Sequence, residues 1–403
     1  METIRRYEEN PYLTELETQV LESFETEGGQ ALVLRETLFF PEGGGQPWDL
    51  GTVDGAPLVR VVESEGRILH ILAEPGDFPP GRRVRLALDW DRRFDHMQRH
   101  CGEHILSGIF FREFGGVNRG FHMGDQYMTI DISLEQDATV GELTWEMALR
   151  AELLANEAVW ADLPVSVRLF GTKEAAAGVP LRKSLEIERD IRVVCVGREE
   201  NPADCVACCG THPATSGQVG LIKLYKMENY KGMVRIYFEA GRRALLDYRE
   251  KHRLLSDLGV RYSAGPEDLA AKLAARDAKA SEVRDGFYRL RQSVLRQRTE
   301  EILGTAPGPI LTYRSYGDLP QEDLLTLGRS VSSARPGLFV VRDEGASTLL
   351  LFSGGKPDCG KLVRDHLDIY SAKGGGNAVS ARIIFAKGES TELFVDLLEK
   401  HLR

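Results

Sequence analysis

The rhythm of hydrophobic and polar positions changes several times along the chain. Up to about residue 88, short alternating runs are cut by Gly and Pro, and the segments 31–40, 51–53, 59–62 and 82–88 read as strands of a small β-barrel. Asp91 then stands ahead of an apolar-periodic stretch, predicting a helix over 92–114 that stops at Gly115-Gly116. The segment 126–133 alternates like a strand, 140–159 reads as a second helix, and strands follow at 165–170 and 191–196. Residues 219–224 and 233–238 have the pattern of a closing hairpin. From 243 to 303 nearly every residue favours helix, with one break at 263–266 where Pro266 suits the first turn of a new helix. Leu269, Leu273, Ala280, Val283, Phe287, Leu290, Val294 and Ile302 form an imperfect apolar stripe there, suited to a coiled-coil partner or to packing on the next domain. The last hundred residues alternate strand and helix patterns.

The predicted fold class is therefore α+β and multidomain. It has an N-terminal small β-barrel (1–88), an α+β domain (89–242), a helical linker or coiled coil (243–303) and a C-terminal α/β domain (304–403). A homodimer through 243–303 or through the C-terminal domain is the expected assembly. Length and composition agree: 403 residues, 42% apolar and 28% charged, describe globular domains that fold without staples. No run approaches the roughly 18 apolar residues of a membrane span, and the opening residues lack a signal peptide's basic and apolar regions, so a cytoplasmic location is expected. The net charge of −10 gives no global attraction for nucleic acid, leaving only a local basic surface to serve that purpose.

Charge and cysteine usage turn the reading toward metal. Four of the six cysteines stand at 195, 205, 208 and 209, a clustering that suits an ion better than a secreted disulfide framework. His100-Cys101-Gly102-Glu103-His104 puts two imidazoles four residues apart, on one face of the predicted helix. Cys208-Cys209-Gly210-Thr211-His212 offers a thiol and a third imidazole from a Gly-containing loop, and together these make a tetrahedral zinc set. Two other readings use the same residues. His-x-x-Glu-His is the inverted zinc-protease pattern, with Glu103 as general base and a downstream carboxylate as third ligand. Alternatively Cys205, Cys208, Cys209 and His212 close a structural knuckle within one loop.

Several ordered segments resemble the alanyl-tRNA editing proteins, whose sequences look like the editing half of alanyl-tRNA synthetase. They are Thr37 through Pro47 with Asp49 and Gly51, His100 to His104 with Ser107, His122 to Gly124 through Asp131, Cys208 to His212 with Gly217 and Gly220, and Lys231 through Arg235 to Phe238. The likeness is strong over about 30–245 and extends through the helices to a C-terminal part that resembles a DHH-associated domain. There the glycines 374–376 match and the segment 380–388 departs from the family's ending. The resemblance implies a trans-editing hydrolase that deacylates mischarged Ser-tRNA(Ala), and Gly-tRNA(Ala), in an ATP-independent reaction serving translation fidelity. It implies no aminoacylation, and selects His100, His104, Cys208 and His212 as zinc ligands.

The chemistry gives the other residues roles. A site shaped for alanine cannot exclude glycine sterically and rejects one added hydroxyl only modestly, so a second, hydrolytic site is needed. Thr37, by its matched position, is expected to hydrogen-bond the serine hydroxyl. Gly43, Gly44 and Gly45 would let backbone approach the substrate, and Gln46 could donate or accept there. Glu103 is a base or a carboxylate that orients a histidine. Arg235 and Lys223, with Lys226 and Lys231, are expected to meet the terminal phosphates. A protease, or a tRNA-binding module without catalysis, are the rival functions.

Overall fold

Alternation in the first ninety residues becomes six strands that hydrogen-bond around a closed circuit in the computed structural model, which describes residues 2–26, 28–134, 142–198, 200–305, 311–386 and 389–402. The circuit runs Glu15–Thr26, Gly29–Leu34, Arg67–Leu72, Ala56–Ser64, Gly51–Val53 and Arg83–Leu88, and the last pairs back with the first. Inward residues such as Val20, Leu32, Val61, Ile68 and Leu86 fill it. Two of the strands, Glu15–Thr26 and Arg67–Leu72, lie outside the segments expected. The segment 31–40 is not one strand: it ends at Leu34, and Glu36–Thr37 pairs in parallel with Ile4–Arg5.

Packing divides the chain into two units, Met1–Asp257 and Leu258–Arg403. In the first, the helix Trp90–Phe114 leaves the barrel and runs through the middle of the core, with every residue from 99 to 110 buried. Its cap is Asp89, which accepts from the Arg92 amide at 3.1 Å, two residues earlier than the Asp91 expected. It ends as predicted at Gly115, whose φ of 64° is the left-handed conformation that glycine adopts freely. Arg93 on this helix is fully buried against Asp49 and donates to the carbonyls of Pro11 and Leu38, so it ties the barrel loop to the helix.

A four-stranded antiparallel sheet packs on that helix, in the order Ile222–Tyr230, Met233–Ala240, Met128–Ser133, Val117–Met123. The helix Trp145–Trp160 joins the same core through Ala148, Ala151, Ala155 and Val159; the expected start of that helix, at 140, lies outside the described residues. Val165–Thr172, Arg189–Val196 and Asp204–Ala207 form a separate three-stranded antiparallel sheet. Cys195 and Cys205 stand opposite each other in it and are joined as a disulfide. Cys205 is therefore committed to its neighbouring strand, and cannot serve the knuckle that the cysteine spacing allowed.

The predicted helix break is present: Gly241–Tyr262 is followed by Pro266–Gly304, with Pro266 in its first turn. In the second unit a five-stranded sheet runs Leu311–Tyr316, Leu338–Asp343, Thr348–Ser353, Ser380–Ile384, Lys373–Gly376, with only the first pair parallel. Alternate residues of its strands feed two cores. Leu338, Val340 and Leu351 meet Phe394 of the helix Glu389–Leu402, while Phe339, Val341 and Phe352 meet Leu295 and Ile302 of the long helix and Leu327 of Gln321–Ala334. Of the apolar stripe, Leu269 and Ile302 are buried, whereas Val283, Phe287 and Leu290 are 64%, 60% and 65% exposed. No helix among the described residues is long and apolar enough to cross a membrane.

Candidate metal centre

His100 and His104 project from the same face of the buried helix, and the loop after Asp204–Ala207 brings Cys208 and His212 onto them. One donor atom from each of the four lies within 4.8 Å of every other. Cys208 Sγ is 3.4 Å from both His100 Nε2 and His212 Nε2. Gly210 makes this approach feasible: a methyl group there would overlap the His100 ring. Three imidazole nitrogens and one sulfur in a buried cluster fit a first-row transition metal.

Surrounding groups set each ligand's orientation. Gln46 is fully buried, and its Oε1 accepts from His100 Nδ1 at 2.9 Å and from the Thr211 amide at 3.1 Å, while its Nε2 donates to Thr211 Oγ1. Asp204 Oδ2 lies 3.2 Å from His104 Nδ1, a close charged contact that is off line for a hydrogen bond. Arg182 holds Asp204 through Nε at 2.7 Å and stands 3.7 Å from Glu103. Glu103 is itself buried; Ser107 and Asn118 donate to its Oε1 at 2.6 and 2.7 Å, and its Oε2 is 3.9 Å from His104 Nε2.

The electrostatics single out one thiol. Burial alone would raise the Cys208 thiol, but His100, His104 and His212 more than offset it and hold the group well below the usual thiol range. Burial, with Cys208 beside it, pushes Cys209 up to about 11, and burial near Asp204 raises Cys101 further still. Burial and the neighbouring His104 take His212 down to about 3. Burial also acts to lower His104, yet Cys208 and the Asp204 carboxylate outweigh it and bring that imidazole up to about 10. Only the thiol four residues before His212 is thus favoured as thiolate, the form that binds metal.

A cleft of about 190 Å³ opens on the cluster, lined by Gly44, Glu103, Asn118, Phe121, Arg182 and Lys183 as well as by His100, His104 and Cys208. Of the glycine loop, Gly44 lines the cleft, Gly43 approaches Cys209, and Gly45 (φ 82°) packs so tightly on Phe121 that a Cβ would lie 2.6 Å from its ring. Thr37 does not line the cleft: it is fully buried against the barrel strand Arg67–Leu72, its hydroxyl 2.7 Å from His70 Nε2 and accepting from the Phe39 amide. Arg235 is likewise elsewhere. Its cross-strand neighbour Asp131 takes both arms of the guanidinium at 2.7 and 2.8 Å, and Tyr230 lies beneath it at 3.5 Å. Lys223 is held by Glu152 at 2.6 Å, Lys226 by Glu228, and Lys231 rests over Tyr230. None of these cations meets the cleft.

Asp204, Arg182 and Asn118 were not anticipated, and Ser107 entered only as part of a matching motif, without a role. Ser107, one turn after Glu103 on a predicted helix, carried a readable signal; the other three come from separate strands and a loop. The metal group also differs from an inverted-protease arrangement, since a thiol and an imidazole, not a carboxylate, complete it.

Residues 191–237, which include Cys208 and His212, match the family model described as the threonyl and alanyl tRNA synthetase second additional domain. The alanyl-tRNA editing protein AlaX-L of Pyrococcus horikoshii is 33% identical over 61% of this chain and 60% of its own length. The alanine–tRNA ligase of Pyrobaculum neutrophilum is 34% identical over 93% of this chain and 42% of its own. The alanyl-tRNA editing protein Aarsd1 of Danio rerio is 30% identical over 58% of this chain and 55% of its own. The chain thus spans 42 to 60% of the length of these curated relatives. As its ordered motifs imply, this chain is a relative of the alanyl-tRNA editing proteins.

Proposed function

We propose that the chain is an aminoacyl-tRNA deacylase that removes serine, and glycine, from mischarged tRNA(Ala) by zinc-dependent ester hydrolysis in the cytoplasm. The observation that carries this reading is the convergence of His100, His104, Cys208 and His212 on one point beneath a small cleft, in a chain related to editing proteins. Zinc held by these four would supply electrostatic polarisation at the mouth of that cleft. Held by all four, it would act mainly as an organiser.

The protein's own groups do the rest. Gln46 fixes the His100 ring with its Nε2 lone pair facing the cluster, and so acts as a positioning residue. Ser107 and Asn118 satisfy one oxygen of Glu103, leaving Oε2 toward the cleft as the acceptor for a proton from the attacking water. The backbone at Gly44 lies against the ester. The cleft's small volume suits a serine or glycine ester. The cations Arg235 and Lys223 are spoken for by Asp131 and Glu152, so phosphate contact falls to other residues.

The four-part division at residues 88, 242 and 303 belongs to the same reading, as do a DHH-associated-like C-terminal domain and a homodimer through the exposed stripe of Val283, Phe287 and Leu290. The test compares release of serine from Ser-tRNA(Ala) with release of alanine from Ala-tRNA(Ala). Wild type should release serine and spare alanine, and a folded His100→Ala, Cys208→Ala double variant should do neither. Equal, negligible release of both by wild type would overturn the proposal.

A further inference from the structure

Two cations line the cleft over the metal group, Arg182 and Lys183, neighbours in the chain with different commitments. Arg182 is buried and taken: it pairs with Asp204 at 2.7 Å and stands 3.7 Å from Glu103. Lys183 is half-buried, and among the described residues its ammonium meets no acceptor at hydrogen-bond distance and no carboxylate at ion-pair distance. A lysine without a partner is ordinary on an open surface. This one stands in the wall of a cleft of about 190 Å³, where burial withholds part of the water that would otherwise serve its charge. Burial and the adjacent Arg182 hold its pKa below the usual lysine range, although Glu103 and Asp204 act to raise it.

Resting on the deacylase reading above, we infer that Lys183 is a catalytic residue of the ester hydrolysis, its ammonium stabilising the negative charge that develops on the ester's carbonyl oxygen. Glu103, the acceptor for the water's proton, lines the same cleft, yet the two groups do not meet as an ion pair. A base and a cation that share a small cleft without neutralising each other leave space between them for the scissile carbonyl. As the water oxygen bonds to the carbonyl carbon and its proton passes to Glu103, the carbonyl π pair moves onto oxygen. An ammonium with no other partner gains its counter-ion only at that point, so it attracts the transition state more than the neutral ester. Collapse returns the pair to the carbonyl and breaks the bond to the ribose oxygen, which takes the proton from Glu103; the products are serine and the ribose hydroxyl. Arg182 is unsuited to this task, because Asp204 already balances its charge. Lys183 also borders a second cleft of about 560 Å³, beside Arg119 and Arg182, both of which have partners, so contact with a phosphate is the alternative to be separated.

The test follows single-turnover deacylation of Ser-tRNA(Ala) by the full, zinc-loaded chain over a range of enzyme concentrations and at two salt concentrations. Lys183→Met should lower the maximal rate about 100-fold, the scale of one lost oxyanion partner, while the half-saturating concentration, zinc content and circular dichroism spectrum stay as in wild type. Lys183→Arg, which restores a cation, should recover at least about tenfold of that loss. An unchanged maximal rate in Lys183→Met overturns the assignment, and so does a Lys183→Arg as slow as Lys183→Met. A raised half-saturating concentration with a shallower salt dependence, at full maximal rate, overturns it too and makes Lys183 a phosphate contact. Each of these leaves the deacylase reading intact. A wild type that releases no serine removes that reading and this one with it, a failure seen before any variant is compared.

Discussion

The side-chain oxygen of Gln46 lies 2.9 Å from His100 Nδ1, and because that oxygen also receives the Thr211 amide it can only accept. His100 must then carry its proton on Nδ1 and present an unprotonated Nε2 to Cys208. Replacing Gln46 by Ala frees the ring to rotate and change tautomer. Zinc affinity should fall by about 10- to 100-fold with the circular dichroism spectrum retained, as read by competition with a chromophoric chelator. Unchanged affinity would remove Gln46 from the site's design.

Arg182 is buried between two carboxylates, and its loss takes from the buried Asp204 its 2.7 Å partner, while Glu103 keeps Ser107 and Asn118. Arg182→Met should lower stability by ~3–5 kcal/mol, the cost of breaking a buried pair from one side. Urea unfolding of wild type and variant measures it. A loss below ~1 kcal/mol, the range of an exposed pair, would mean that Asp204 and Glu103 find other partners.

The barrel's buried His70 makes stability depend on acid. Burial lowers its pKa to about 4, and burial with Arg92, Arg99, Arg243 and Arg93 nearby lowers that of His96 to about 3. Unfolding returns each to an ordinary value near 6.5, so below that pH the unfolded chain binds more protons than the native one. Stability is therefore full above pH ~6.5 and declines as the pH falls toward the folded values, by ~2 kcal/mol from His70 alone at about pH 5. Urea midpoints at neutral and mildly acid pH should show this decline, and His70→Asn should flatten it. A decline of equal size in that variant would assign the effect to other groups.

Thr37 supplies the hydroxyl that His70 Nε2 accepts, because His70 Nδ1 already donates to the Leu32 carbonyl. Thr37→Val should cost ~1–3 kcal/mol for a buried acceptor left alone and leave zinc content as in wild type. Loss of serine discrimination at unchanged stability would instead return Thr37 to the substrate.

Val283, Phe287 and Leu290 present a stripe to water on the helix Pro266–Gly304. If a second copy covers it, Phe287→Glu with Leu290→Glu should convert a dimer to a monomer in sedimentation velocity. A wild type that sediments as a monomer at every concentration would rule that out.

Elements with a strong period were legible in the sequence. The helix bearing His100 and His104 was expected within two residues of its true start, and the Pro266 break was expected at its observed place. The strand Glu15–Thr26 was not, because its buried positions are few and include Thr18 as well as Val20, so that apolar alternation barely registers. The two pairs of the candidate metal group, His100 with His104 and Cys208 with His212, each have a fixed local spacing, but that spacing left the protease and knuckle readings open and the family resemblance chose among them. Their supports carried no such signal: Asp204, Arg182 and Asn118 meet only after three separate segments have folded, and no spacing announces that. Nor does adjacency to a glycine loop in sequence say which way a side chain faces: the Thr37 hydroxyl turns to His70.

Cys208 meets His100 across 108 positions of chain. An ion held by both is a fastener between distant parts of the polypeptide, and it shrinks the freedom of the unfolded chain much as a covalent bridge over that span would. Under the proposed deacylase reading, catalytic competence and the integrity of the first unit would then share one dependence, and a chelator would be expected to remove both in a single act.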